Sequence, residues 1–291
     1  MTETATPAPA SPEFPYGVGR SEDADAPIAY TTYDAACALA LLQRIEDGDE
    51  PQDIITLSDE QIVGVDGHLR RQLTALPWLE LHEQDRAVAA TAGLRSLLAS
   101  GQVALGQDLD TGERRWLVDP AINGCSVLRR TADVLCSAER QVQGEAGPQT
   151  HRLYYYVHRE GILEEEVTAS GMHVFRVLRP EAVPARMITL VDQDAAAGES
   201  GEPTLLEEGD LAPGGRFAQR LADARAITIL SALDTRTDDV KQLTVYATTT
   251  EVLAQQAEDL ESETPRLTLK PVSREELTDL AAWFVRRDEE A

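Results

Sequence analysis

The sequence predicts an α+β fold: a central antiparallel sheet made of two pseudo-twofold-related βββα halves, flanked by helical bundles. Three observations point to it. Apolar residues recur at helical spacing up to about residue 135. Aromatic and β-branched runs then cluster between 151 and 180, and again between 226 and 271. Each cluster ends in a helical pattern.

The chain of 291 residues carries 51 acidic and 26 basic residues, for a formal net charge of -25. A field of that sign repels nucleic-acid phosphates and anionic headgroups, so neither nucleic acid nor membrane is expected as a partner. Three cysteines, outside any CxxC or Cys/His cluster, argue against a disulfide framework or a structural zinc. The first residues lack a basic and an apolar signal region, and no apolar run approaches the ~18 residues of a membrane span. A cytoplasmic protein is expected.

Residues 1–30 are rich in Pro, Ala, Ser and Asp and read as a disordered tail. Residues 31–191 hold a helical part and the first strand-helix unit, 192–215 an acidic flexible linker, and 216–291 the second unit. The first helix is AACALALLQRI, Ala35 to Ile45. Ser58 and Gln61 form a Ser-x-x-Gln capping box for a second helix, continued through Ile62, Val65, Leu69 and Leu73. A third runs from about Glu83 to Ala99 with Val88, Ala92, Leu94, Leu97 and Leu98 as its apolar stripe. QVALGQD and RRWLVDP read as a small hairpin or wing. A fourth helix follows Asp119-Pro120 and carries Val127, Leu128, Ala132, Val134 and Leu135.

Strands are expected at His151–His158, Gly161–Val167 and Met172–Pro180, followed by a helix entered at Pro184. After the linker come a helix over about Arg216–Asp223, a strand at Ala226–Leu233, then QLTVYATTT, EVLAQQ and RLTLKP. A last helix starts at Ser273, with Glu276 completing a capping box and Leu277, Leu280, Ala281 and Phe284 on one face. An offset of 91 superposes Leu178-Arg179-Pro180 on Leu269-Lys270-Pro271 and Tyr155 on Tyr246. Two such halves have free sheet edges, which they satisfy by joining edge to edge.

EQDRAVAATAGLRSLLASGQVAL, RRWLVDPAINGCSVLRRTADVLCSAERQV and the endings VLRPEAVPARMITLV and LTLKPVSREELTDLAAWFV resemble EspG-type secretion-associated proteins, over roughly residues 57–286. The resemblance implies a quasi-twofold α+β fold and a cytosolic chaperone of type VII secretion. Its partner would be a secreted helical protein, PE–PPE-like or another small substrate, bound by a monomer or weak homodimer. The chain departs from that family in its acidity, its acidic linker and its N-terminal tail.

Neither phosphate-binding, nucleophile-elbow, HExxH nor EF-hand patterns occur, so no catalytic residue, cofactor or metal is assigned. His158 and His173 could meet across paired strands, but two histidines fall short of a metal site. Glu164-Glu165-Glu166 reads as a solvated edge strand guarded by charge. Tyr154, Tyr156 and His158 share one face of LYYYVH and are candidate partner contacts, unless helices cover both faces of that strand. The hairpin tip with Ser170, Gly171 and Met172 is the second candidate. The alternatives are a winged-helix regulator, suggested by LRSLLASGQVAL followed by RRWLV, and a protein-binding module unrelated to secretion.

Overall fold

The computed structural model describes residues 28, 30–47, 51–107, 114–144, 147–207, 209–258 and 266–287. Most of the tail expected over 1–30 lies outside them; Ile28 and Tyr30 pack against the N-terminal helices.

Helix α1 (Thr32–Gln43) opens on a capping box of Thr31 and Asp34. Strand β1 (Gln52–Ser58) runs into α2 (Asp59–Asp66), where Ser58 and Gln61 form the expected capping box. Helix α2 stops at Gly67, whose φ of 92° suits glycine, so Leu69 and Leu73 lie outside it, exposed. A short α3 (Pro77–Glu80) precedes α4 (Arg86–Ala99). The buried stripe of α4 is Ala89, Ala90, Gly93 and Leu97, and Val88 from the expected stripe faces solvent. Gly93 explains the rotation. A Cβ there would lie 2.0 Å from the Glu60 carbonyl oxygen, so the glycine face is where α2 packs closest.

The hairpin β2 (Val103–Gln107) and β3 (Arg114–Val118) is a separate two-stranded sheet. Helix α5 (Pro120–Thr131), capped by Asp119, ends before Val134. Val134 and Leu135, expected at the end of that helix, open a strand, β4 (Val134–Gly144), in which Val134, Cys136 and Ala138 alternate inward.

Then come β5 (Gly147–Val157), β6 (Ile162–Val167), β7 (Met172–Leu178) and α6 (Val183–Val191). The second half is α7 (Ala218–Ala222), β9 (Ala226–Asp234), β10 (Val240–Ala247), β11 (Val252–Glu258), β12 (Arg266–Pro271) and α8 (Arg274–Phe284). Between them, the acidic stretch read as a linker carries strand β8 (Thr204–Leu205). Its Asp192 carboxylate accepts from the Ala196 and Ala197 amides.

All strands but β2 and β3 form one sheet in the order β1-β7-β6-β5-β4-β9-β10-β11-β12-β8. The two halves join edge to edge, through the antiparallel pair β4–β9. Each half has four strands and a helix, not three strands, because β4 belongs to the first. The matching turn bonds, His158 N–H to Gly161 O and Thr248 N–H to Glu251 O, give a step of 90 (158 to 248), not 91. The Leu-x-Pro anchors are not equivalent. Pro271 pairs with Leu253 inside β12, whereas Pro180 lies past β7 and starts a 3-10 turn. Ser273 caps α8, but no capping box forms: Glu276 binds Lys270 and the Ser200 hydroxyl, and that hydroxyl takes the Ser273 amide.

One face of the sheet is covered by α6 and α8, which bury Tyr155, Val157, Leu243, Val245 and Phe284. On the other face the N-terminal helices cover the first half. Phe217 and Leu221 cover the far strands around Tyr246, Leu253 and Leu269.

Candidate functional site

Between these two covers lies an open strip of sheet. Alternation along β4, β9 and β10 puts Leu135, Leu233 and Val240 in one cross-strand row. The same row continues into Tyr156 of β5, which is fully buried. The apolar row thus runs out of the core into solvent, ending at Val240, which is 58% exposed. The next row pairs Ser137 with Ser231. Two small side chains face to face lower the surface at its middle and make it concave. The result is a groove of about 440 Å³ between the sheet and the loop before α3, with Leu73 and Ala75 on its far wall. Glu80, Glu139 and Arg152 supply its charges. Leu73 is 52% exposed, and Ile227, two rows further along β9, also faces out. A row of half-buried Leu135 and Leu233 ending in exposed Val240, faced by exposed Leu73, is the kind of apolar surface that marks a protein contact.

Of the residues selected from sequence, Tyr154 alone lines this groove, and only from its floor. Its ring is buried, its hydroxyl accepts from the Ala75 amide at 3.3 Å, and burial pushes its pKa up to about 12. Tyr156 is wholly interior, because helices cover both faces of β5. His158 is partly buried, with Nε2 3.1 Å from the Leu128 carbonyl, and burial lowers its pKa. His158 and His173 are not cross-strand neighbours, since β6 separates β5 from β7. At the β6–β7 tip Ser170 and Met172 are exposed, while Gly171 is buried at φ 74° and its carbonyl takes the Asp59 amide.

Glu164 and Glu165 correct the edge-strand expectation. Strand β6 is interior to the sheet, and both carboxylates are fully buried. Each meets arginine on its own face. Glu164 lies 2.5 Å from Arg186 Nε and 3.1 Å from Arg176 Nη1. Glu165 binds Arg129 Nε at 2.9 Å, His173 Nδ1 at 2.5 Å and the Tyr156 hydroxyl. Beyond His173, Nε2 is 2.7 Å from Asp59 Oδ1, and Asp59 Oδ2 accepts from the Trp78 and Leu79 amides. Arg129 also donates to Thr74, and Arg130 pairs with Asp66. His173 thus sits between two carboxylates, Asp59 and Glu165, the arrangement that favours its protonated form. These groups come from β5, β6, β7, α2 and α5 and hold the helical part onto the sheet.

Burial would raise the Glu165 carboxyl, but Arg129, His173 and Tyr156 outweigh it and hold it at about 2. Burial would lower the His173 pKa, but its hydrogen bonds to Asp59 and Glu165 prevail and raise it. A histidine raised on folding contributes stability in full below its unfolded pKa of about 6.5, and loses it as pH rises through the folded value. Urea midpoints should therefore fall as pH climbs above about 6.5, and His173→Gln should flatten that slope. His158, lowered on folding, titrates below that window. Midpoints that stay level or rise over it would refute the assignment.

Among the described residues no group of three or more His, Cys, Asp or Glu is placed to hold a metal ion, and no helix is long and apolar enough to cross a membrane. The outer face of α4, the helix of the helix-and-wing reading, shows Ala87, Val88, Thr91, Ala92 and a single arginine, Arg95. That is an apolar surface, not the basic one a phosphate backbone attracts.

A sheet of two edge-joined halves with a helical part on one face and α6 and α8 on the other is an EspG-like fold, the class expected from the resemblance. A solved structure of the Mycobacterium tuberculosis type VII secretion system chaperone EspG5, in complex with a PE25–PPE41 dimer, matches it with a TM-score of 0.51. The match spans 80% of this chain and 95% of that one at 10% sequence identity, so what is shared is the fold. No protein-family model and no curated protein sequence matches the chain.

Proposed function

We propose that this chain is a chaperone or adaptor that holds a secreted helical protein in the cytosol before type VII export. The partner would be PE–PPE-like or another small substrate. The observation that carries the reading is the partly open row Leu135–Leu233–Val240 beside the serine pair, in a chain with the fold of a chaperone solved in complex with a PE25–PPE41 dimer. A helix end fits such a groove: its apolar side chains meet the row, and the serines leave room for close approach. Glu80, with Glu139 already paired to Arg152, favours a cationic residue at the rim of the partner. The exposed Met172 and Ser170 at the β6–β7 tip are a second contact in this reading.

Co-expression with the small helical proteins encoded beside its gene tests it. One of them should co-purify and co-elute in size exclusion. Elution of the chain alone in every pairing would reject the proposal.

A further inference from the structure

We infer that the cavity behind the loop between α2 and α3 is an oxyanion site, for a chain-end carboxylate or a phosphate. The cavity holds about 530 Å³ and is lined by His68, Arg70, Arg71 and Arg86, with Glu80 and Glu83 as its only acids. Three guanidiniums facing one cavity are out of keeping with a chain of net charge -25. Arg86 is the least committed. One Nη donates to the Arg70 carbonyl at 3.3 Å, its Nε is buried with no hydrogen-bond partner, and it makes no ion pair among the described residues. A half-buried guanidinium without a counter-charge is costly, and a bound oxyanion removes that cost through the planar fork.

Among the described residues neither Glu80 nor Glu83 makes an ion pair with Arg86; the Glu80 carboxylate accepts from the Leu76 amide at 3.3 Å, and Glu83 is exposed. Gln72 narrows the ligand further. Its Nε2 lies 3.5 Å from the Arg70 carbonyl, and its Oε1 is buried with no donor. The ligand should therefore bring a donor beside its oxyanion. A peptide carboxyl terminus does so with its last amide N–H, and hydrogen phosphate with its own hydroxyl. The inference stands apart from the docking groove, and its test needs no partner protein.

The thermal midpoint of the full chain is measured with sodium phosphate, then with a blocked tripeptide acid and its amide, each against sodium chloride at equal ionic strength. Phosphate stabilises folded chains without binding, so the reading is the difference between wild type and Arg86→Gln. A saturable rise of about 2–3 °C at ten times Kd is expected in the wild type only. Arg86→Lys should recover part of it, and Arg95→Gln, outside the cavity, all of it. If Arg86→Gln does not fold, exposed Arg71→Gln takes its place. Phosphate acting alone identifies a free-anion site, and the acid peptide acting without its amide a chain-end site. No rise with either, or a rise that persists in both Arg86→Gln and Arg71→Gln, overturns the inference.

Discussion

Glu165→Ala should cost about 3–5 kcal/mol, read from urea unfolding followed by circular dichroism. The carboxylate is fully buried and serves three elements at once: Arg129 on α5, Tyr156 on β5 and His173 on β7. Its removal leaves a buried guanidinium with Thr74 and, 3.8 Å away, an Asp66 already engaged by Arg130. The phenol and the imidazole lose a partner in the same step. An uncompensated buried charge is what makes one-sided removal of a buried pair so damaging. Because a whole domain is stable by only ~5–15 kcal/mol, the helical part should detach or the chain unfold at moderate urea. The double replacement Glu165→Met with Arg129→Met should cost less than the single one. It removes both charges, leaves Asp66 to Arg130, and leaves His173 its bond to Asp59. A single mutant within ~1 kcal/mol of wild type would show that the network does not hold the helical part in place.

That network was not legible in the sequence, and the reason is physical. Positions 59, 129, 165 and 173 come together only once α2 and α5 dock on three strands, and local pattern holds no trace of it. Three glutamates in a row look like a solvated surface unless the arginines that meet them are known to lie above and below. Local signals did carry through. Ser58 with Gln61, Asp119-Pro120 and Ser273 each cap the helix expected, because capping is decided within four residues. Strand β4 carries a legible strand pattern directly after a helix. Val134, Cys136 and Ala138 alternate with Leu135, Ser137 and Glu139, but the preceding helical run drew the pattern into a longer helix. The order of elements revealed the edge-to-edge sheet, while the letter-based offset missed by one at the turn and failed at Pro271. The most aromatic stretch, Leu153–Val157 of β5, is buried on both faces and offers no free surface. The open surface lies instead where Leu135, Leu233 and Val240 border the pair Ser137–Ser231.

Val240→Glu, alone or with Leu233→Glu, should abolish capture of the secreted partner while leaving the chain folded. Val240 is mostly exposed and lies at the start of β10, so a carboxylate there reaches water and should cost within ~0.5 kcal/mol. In a complex the same carboxylate would be sealed against the apolar end of a helix with no cation opposite it. Burying it unpaired, and losing an apolar contact at the open end of the row, should weaken binding by ~2 kcal/mol or more, at least thirty-fold. The chain's own charge would add repulsion from Glu80 across the groove, Glu139 being paired with Arg152. Val88→Glu is the matched control, for Val88 is more exposed still and sits on the apolar outer face of α4. The two surfaces make opposite demands on the pair of variants. Docking on the sheet requires that Val240→Glu fail to capture and Val88→Glu succeed. The reverse would move the contact to α4, and equal capture by both would leave the open strip without a role in binding, however apolar it is.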